Sequence, residues 1–311
     1  MDNPEKYLVV VNPNAGGRKA EKDWPQIEAI LKKQAFEIEV IETKYRHHAI
    51  SVVADKITND HYRNIIVVGG DGTVNEVVNG IFAQNKVPTM DIRMGVVMIG
   101  TGNDWGKMFD IPNDYEEAIA LISAKNTFVQ DVGHVSYFVG KEEKTRYFIN
   151  CAGLGFDALV TETTNKSKDA GKSSTLSYFK SLIGSLFRYK PIDVRVHIDN
   201  REILDGKLFT LSLGIGKYTG GGMQQNPDAV ADDGLFDLML VDNIAKTKLI
   251  RKIKKLYDGS IKEIKEVQSF RLNNMKVESD HKLMLEVDGE SLGHAPFTFG
   301  LIPESLQVII R

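Results

Sequence analysis

Apolar residues in the first third of the chain fall in short, nearly unbroken runs at 7–11, 36–41, 65–68 and 96–99, with helix-length stretches between them. Runs this short, with no in-out alternation, suit strands buried on both faces, so the βαβα rhythm predicts a mainly parallel sheet covered by helices. After Asp131-Val132-Gly133 the pattern changes to alternating or apolar runs at 146–151, 193–199, 209–214, 235–241 and 282–287, which predict mostly antiparallel strands. Helical spacing around 174–187 and 246–257 marks two inserts. The last run, 306–310, can join either half, and no internal repeat is present. The expected organisation is therefore 1–133 as an α/β domain and 134–299 as a β domain, with 300–311 a candidate to rejoin the first.

Composition narrows the class without changing that outline. At 311 residues the chain exceeds what one core comfortably serves, and 42% hydrophobic with 26% charged residues is ordinary for a folded protein. A formal net charge of -3 gives no general attraction to nucleic acid, which is not expected as a partner. Cys151 is the only cysteine, so no intrachain disulfide can form and a reducing, cytoplasmic setting is expected. The N-terminal residues lack the pattern of an export signal, and every apolar run falls well short of the roughly 20 residues of a spanning helix. Any membrane contact is expected to be peripheral, at the inner face.

The chemistry concentrates in three glycine loops. Residues 65–68 run into Gly69-Gly70-Asp71-Gly72-Thr73-Val74-Asn75-Glu76, a strand, a glycine turn and a helix start in succession. Glycines let main-chain amides approach phosphate oxygens, and a helix start adds its free N–H groups and positive end. Thr73 and Glu76 at capping-box spacing offer a purely structural reading alongside. That reading leaves Asp71 unexplained, because a carboxylate at an anion site repels phosphate unless it holds Mg2+ or a proton. Two more polar glycine loops follow strands: Asn12-Pro13-Asn14-Ala15-Gly16-Gly17 and Gly100-Thr101-Gly102-Asn103-Asp104. Loops at the carboxyl ends of neighbouring parallel strands converge where ligands bind.

The segments NPNAGG at 12–17, GGDGTVNEVVNG at 69–80 and GTGNDW at 100–105 together resemble the bacterial soluble diacylglycerol kinase family, which is related to sphingosine and ceramide kinases. Further segments match in order: Asp131-Val132-Gly133, 153–157, 218–223, 232–235 and Asp288-Gly289-Glu290. The resemblance spans essentially the whole chain. GGDGT alone is less specific, since NAD kinases and phosphofructokinases carry related loops. The resemblance implies an α/β nucleotide-binding domain followed by a β-sandwich, an active site in the interdomain cleft, ATP and Mg2+ as cofactors, and a lipid substrate met at a membrane surface.

Carried over by position, Asn12, Pro13, Asn14, Ala15 and Gly16 with Gly69, Gly70, Asp71, Gly72, Thr73, Val74 and Asn75 line the nucleotide, and Thr43 and Thr101 add contacts. Glu290 is the implied base for the lipid hydroxyl, with Asp71 its rival and Asp104 a third acidic participant. Phosphoryl transfer needs a metal across the phosphates and a carboxylate near the acceptor, and the sequence does not divide these tasks. Asp233 with main-chain oxygens of Val230 and Leu235 is the implied site of a second, structural Mg2+. Without the resemblance, Asp288-Gly289 reads as a hairpin turn and Asp233 as part of another.

Other features carry less. Gly171-Lys172-Ser173 lacks the first glycine of a Walker loop, since Lys166 stands in its place. Gly153-Leu154-Gly155-Phe156-Asp157-Ala158 fits a dinucleotide fingerprint without its βαβ context. His47-His48 has no partners at metal spacing. The apolar spacing of Leu176, Phe179, Leu182, Ile183, Leu186 and Phe187 suits core packing or an acyl chain. The basic amphipathic stretch 246–257 suits anionic lipid or a solvated surface. A sphingoid-base or ceramide kinase, or a nucleotide-gated lipid-binding protein without turnover, are the alternatives to diacylglycerol phosphorylation.

Overall fold

The computed structural model describes residues 5–169 and 183–311, omitting the side chains of 167–169. Two compact units result, one of 1–132 with 304–311 and one of 133–303.

In the first unit, β1 (Lys6–Val11), β2 (Glu37–Glu42), β3 (Asn64–Gly69) and β4 (Arg93–Met98) pair in parallel in the order β4-β3-β1-β2. The apolar run at 306–310 returns here: Gln307 and Val308 pair in parallel with Arg93 and Met94. Helix α1 (Ala15–Lys33) covers one face together with α5 (Tyr115–Ala124), as the shared core of Val9, Ile27, Leu31, Ile66, Val97 and Ile122 shows. The alternate positions Leu8, Val10, Ile65 and Val67 are also buried, which is why the strand sequences show no alternation. Helices α2 (His48–Asn59) and α3 (Asp71–Ala83) pack closely on each other. A Cβ on Gly80 of α3 would stand 2.7 Å from Val53 Cβ and 2.8 Å from the Ile50 carbonyl oxygen. The last glycine of the 69–80 motif therefore sets the distance between two helices. The short α4 (Asp104–Met108) follows the third glycine loop.

In this order β1 lies between β2 and β3, so the chain reverses direction across the sheet after β2. The loops leaving β1 and β3 flank that switch point, where parallel sheets open a crevice.

The second unit is a β-sandwich. β5 (Thr127–Val139) enters it from the first unit and pairs with β6 (Glu142–Phe148). β7 (Cys151–Gly155) leads into α6 (Phe156–Asp169). β8 (Ile192–Ile198), β9 (Arg201–Leu208) and β10 (Thr210–Gly214) follow, then the two-residue strands β11 (Tyr218–Thr219) and β12 (Met223–Gln224). β13 (Phe236–Val241), α7 (Lys246–Lys252), β14 (Val267–Leu272), β15 (Asn274–Glu278), β16 (Met284–Val287) and β17 (Glu290–Ile309) complete the chain. One layer runs β14-β13-β10-β7-β16-β17, and β17 continues to pair with β15, which carries β8 and β9. Phe148 of β6 stacks on Phe236 of β13 at 5.7 Å, both fully buried, joining strands that do not pair.

Three expectations are corrected. The predicted strand 146–151 is two strands, β6 ending at Phe148 and β7 beginning at Cys151. The capping box does not form: Gly70 is the N-cap of α3, and Glu76 instead accepts the amides of His47 (2.8 Å) and Ala49 (3.3 Å) at the start of α2. The insert at 246–257 is α-helical only to Lys252 and continues as a 3-10 turn, Ile253–Leu256. The fingerprint at 153–158 straddles a strand and a helix, and both neighbours of β7 are antiparallel to it, so the motif lacks the βαβ unit, in line with the sequence reading. Of the insert at 174–187, Leu176, Phe179 and Leu182 lie outside the described residues, as does Gly171-Lys172-Ser173, and 183–188 is helical.

Candidate nucleotide and phosphoryl-transfer site

The three glycine loops meet at the carboxyl edge of the parallel sheet. Asn12 Nδ2 donates to Thr73 Oγ1 at 3.0 Å, linking the loop after β1 to the first turn of α3. Asn12 Oδ1 in turn accepts the Asn14 amide at 3.1 Å, which turns the chain away from β1. Gly16 and Gly17 take positive φ, and a Cβ on Gly16 would touch Ile99 Cγ2 at 3.2 Å, placing the first loop against the third. A Cβ on Gly70 would stand 3.1 Å from Gly100 Cα, so the second and third loops touch backbone to backbone. A side chain at either position would hold these loops apart.

Asp71 joins the second loop to the third. Its two carboxylate oxygens accept the amides of Asp104 and Trp105, each at 3.2 Å, so Asp71 binds the start of α4. Asp104 is buried, 6% exposed, and Lys107 lies 3.2 Å from its Oδ1. Oδ2 of Asp104 and Oδ2 of Asp71 lie 3.1 and 3.2 Å from the point where a Gly102 Cβ would be. Two carboxylate oxygens beside a glycine could supply part of the ligand set of a hard divalent cation, while no cluster of three or more His, Cys, Asp or Glu side chains at metal-binding geometry occurs among the described residues.

The predicted nucleotide residues divide into two groups. Asn14, Gly16 and Thr101 are exposed, and Asn12, Pro13, Ala15, Gly70, Asp71 and Gly72 are partly so. Thr73, Val74 and Asn75 are buried, and the amides of Thr73 and Val74 bond to the Gly70 carbonyl. Asn75 accepts from Asn79 Nδ2 through both its carbonyl and Oδ1. Gly69 is buried at the end of β3, where its missing side chain makes room for Thr73. Thr43 follows β2 and is fixed by its amide to the Val11 carbonyl at 2.8 Å, beside Asn12.

In the second unit, Glu290 opens β17 directly after a two-residue turn. Val287 pairs with Glu290, and Asp288 and Gly289 both have positive φ (45 and 83), the geometry of a type I′ hairpin. The turn reading of Asp288-Gly289 is thus right, yet the turn is also anchored. The Asp288 carboxylate accepts three successive amides, Ile149 at 3.1 Å, Asn150 at 3.1 Å and Cys151 at 3.0 Å. Glu286 accepts the Gly289 amide at 3.1 Å, and Asn165 donates to the Gly289 carbonyl at 2.9 Å. Burial, with Asp157 adding like charge, pushes the Glu286 carboxyl up to about 8. Burial also raises Asp157 to about 6, against hydrogen bonds from Gln225 and Thr210. The acid pair Asp157–Glu286 beneath this hairpin and the anchoring role of Asp288 were not foreseen. Two of the three amides on Asp288 belong to Ile149 and Asn150, in the buried link between β6 and β7, and the need of that link for acceptors is the one signal the sequence offers.

Asp233 stands in the loop before β13. Its Oδ1 accepts the Leu235 amide at 3.0 Å, and its Oδ2 pairs with Arg271. Val230 is 42% exposed in the same loop. Asp233 is the carboxylate of this loop that could hold a hard cation together with main-chain oxygens. Arg271 has a second carboxylate, Asp237, at 3.7 Å, so a cation at Asp233 leaves the guanidinium a partner.

Residues 150–310, more than half of the chain, match the YegS C-terminal NAD kinase beta sandwich-like domain, and residues 6–135 match the diacylglycerol kinase catalytic domain. The chain belongs to the diacylglycerol kinase family. It is on that ground a lipid kinase, a phosphotransferase whose family uses a nucleotide donor. Among its relatives, the diacylglycerol kinase of Staphylococcus carnosus (strain TM300) is 28% identical over 98% of this chain and 94% of its own length. That of Staphylococcus aureus (strain MRSA252) is 29% identical over 95% of this chain and 89% of its own. A solved structure of a diacylglycerol kinase from Bacillus anthracis str. Sterne superposes with a TM-score of 0.73 at 21% identity, covering 100% and 98% of the two chains. Yeast NADH kinase follows at a TM-score of 0.55 and 11% identity, covering 100% of this chain and 84% of that one. These two likenesses show the fold that this diacylglycerol kinase family member shares with both. No helix among its described residues is long and apolar enough to cross a membrane.

Proposed function

We propose that this lipid kinase transfers the γ-phosphate of ATP to the free hydroxyl of diacylglycerol, with Glu290 as the base that accepts the hydroxyl proton. The convergence of the loops after β1, β3 and β4 supports the reading, since it gathers main-chain donors and two carboxylates at a sheet switch point. Asn12, Ala15, Gly16 and the Gly70–Gly72 amides cradle the phosphates, and Thr43 and Thr101 flank the rest of the nucleotide. Asp71 and Asp104 hold Mg2+, which when bound neutralises charge on the phosphates. Both oxygens of Asp71 already accept amides of α4, which favours Glu290 over Asp71 as the base. Asp233 with the main-chain oxygens of Val230 and Leu235 holds a second, structural Mg2+.

The test is phosphoryl transfer from ATP to diacylglycerol in mixed micelles, with Glu290→Gln and Asp71→Asn beside the parent. Loss of a general base lowers turnover by roughly 100- to 10,000-fold. Glu290→Gln is expected to fall in that range while still binding ATP, and Asp71→Asn to lose Mg2+-dependent ATP affinity. Full turnover by Glu290→Gln defeats the assignment of the base. A panel of sphingoid bases, ceramide and other lipid alcohols in the same assay identifies the preferred acceptor.

A further inference from the structure

Gly289, the residue before the proposed base, has no side chain by which to be held, and it stands exposed at the tip of its turn. Peptide groups in such a place ordinarily bond to water. Here both are taken by side chains from different elements. The Gly289 amide donates to Glu286 Oε2 at 3.1 Å, at the end of β16, and the Gly289 carbonyl accepts from Asn165 Nδ2 at 2.9 Å, on α6. That carbonyl belongs to the peptide leading into Glu290, so the main chain is gripped on both sides of the residue that precedes the base.

Holding the turn does not require this, since Asp288 already anchors it through three amides. Glu286 is moreover an unfavourable group to spend on one exposed glycine. It is 5% exposed, and it faces Asp157 of α6, Asp288 and Glu290 of its own hairpin, and the Cys151 thiol of β7 at 4.0 Å. The absence of a side chain at Gly153 lets the two acids approach: a Cβ there would stand 2.9 Å from both Asp157 Cβ and Glu286 Oε1. Asp157 accepts from Gln225 Nε2 at 3.1 Å, and its charge acts on the Tyr189 hydroxyl. No cation pairs with Glu286 or Asp157 among the described residues. An acid packed among acids without a counter-charge keeps its proton. Such a carboxyl accepts the Gly289 amide through its carbonyl oxygen and sets no negative charge beside Glu290.

We propose that Glu286 and Asn165 are positioning residues for Glu290, clamping Gly289 from two sides so that the base stands at one fixed point, with Glu286 serving as an uncharged acceptor. The inference rests on the assignment of Glu290 as the base. When Glu286 ionises, at about 8, its buried charge meets those of Asp157, Asp288 and Glu290, and the clamp opens to relieve the repulsion.

Phosphoryl transfer to diacylglycerol in mixed micelles, followed from pH 6 to pH 9 with circular dichroism confirming the fold at each pH, tests the proposal. Parental kcat should fall on the alkaline side, around the pH at which Glu286 ionises. Glu286→Gln keeps the acceptor without the charge, so it should hold parental kcat at pH 7 and lose the alkaline fall. Asp157→Asn removes a like charge that helps Glu286 keep its proton, and should move the fall to lower pH. Partly exposed Asn165 can be cut back without disturbing a core, and Asn165→Ala should lower kcat about fivefold with KM for ATP within about twofold of the parent. Glu286→Leu, which removes the acceptor, should lower kcat more than about tenfold, since small displacements of a catalytic group are that damaging. A role in stability alone would change the folded fraction and not shift the pH profile. A parental profile flat to pH 9, an unchanged alkaline fall in Glu286→Gln, or parental kcat in Asn165→Ala overturns the proposal. Glu290→Gln is the control: full turnover there defeats the base and the clamp together. An inactive Glu290→Gln beside a folded Glu286→Leu of parental kcat defeats the clamp alone.

Discussion

The Asn12 side-chain amide reaches across the switch point of the sheet to Thr73 Oγ1 at 3.0 Å, so the loops after β1 and β3 are hydrogen-bonded to each other. Thr73 is 5% exposed, so removing either partner leaves a polar group in a place with little access to water. Asn12→Ala and Thr73→Val are each expected to weaken ATP binding about fivefold, the equivalent of ~1 kcal/mol for one such bond. The double variant should cost less than the sum, with a coupling of about 1 kcal/mol in a double-mutant cycle read by calorimetry. Strict additivity would show that the two loops are positioned independently.

Asp288 fixes the strand on which the proposed base sits. Three amides converge on its carboxylate, and the residue is 7% exposed. Asp288→Asn keeps the shape but substitutes an amide NH2 for one of the two acceptors, so a buried N–H loses its partner. Stability should fall by about 2 kcal/mol, within the range for bonds to charged groups. Turnover should fall more than tenfold with ATP affinity within twofold of the parent, because the nucleotide loops belong to the other unit. A parallel loss of ATP affinity would mean that Asp288 supports the whole fold instead.

The parallel strands and the three glycine loops were legible because their signals are local: an apolar run, then glycine, then a helix start. The edge to which 306–310 returned was not, since the same run of apolar residues pairs equally well in either unit. Strands such as β9 and β14 were missed because their exposed faces leave few apolar residues to mark them. Glu76 shows the limit most clearly. Its spacing from Thr73 is that of a capping box, but the start of α2 supplies amides that compete for the same carboxylate, and no local pattern reveals a neighbour 29 residues away. Asp288 was read correctly as a turn residue, while its three long-range acceptor bonds depend on the pairing of β7 with β16.

Gly80 offers a test of the helix pair behind the second loop. An added methyl group would meet Val53 Cβ at 2.7 Å and the Ile50 carbonyl at 2.8 Å, and the latter is main chain that cannot rotate away. The usual gain in helix propensity from Gly to Ala is at most about 1 kcal/mol. Overpacking costs about 1–3 kcal/mol. Gly80→Ala is thus expected to be net destabilising in chemical denaturation, although it replaces glycine in the middle of a helix. A stabilised variant would show that α2 and α3 can separate at no cost.

Glu286 sets a pH dependence whose sign follows from its burial. In the folded chain its carboxyl titrates near 8, against 4.5 when solvated, and burial is the first cause, followed by the charge of Asp157 on α6. Asp288 and Glu290 also face it with negative charge, and the Gly289 amide opposes the shift. Between these two values the folded chain holds a proton that the unfolded chain has released, so stability falls as pH rises from about 4.5 to about 8. Asp157, raised to about 6 from 3.8, adds the same slope over a lower window. Glu286→Gln removes the larger part by mimicking the protonated acid, and can still accept the Gly289 amide through its carbonyl oxygen. Denaturant midpoints of the parent should therefore decline from pH 5.5 to pH 8.5 by the equivalent of a few kcal/mol, roughly. Those of Glu286→Gln should change much less and exceed the parent at pH 8.5. A parent curve that is flat or rising across this window would place a charged Glu286 in the folded chain and undo the shared burial of the two acids.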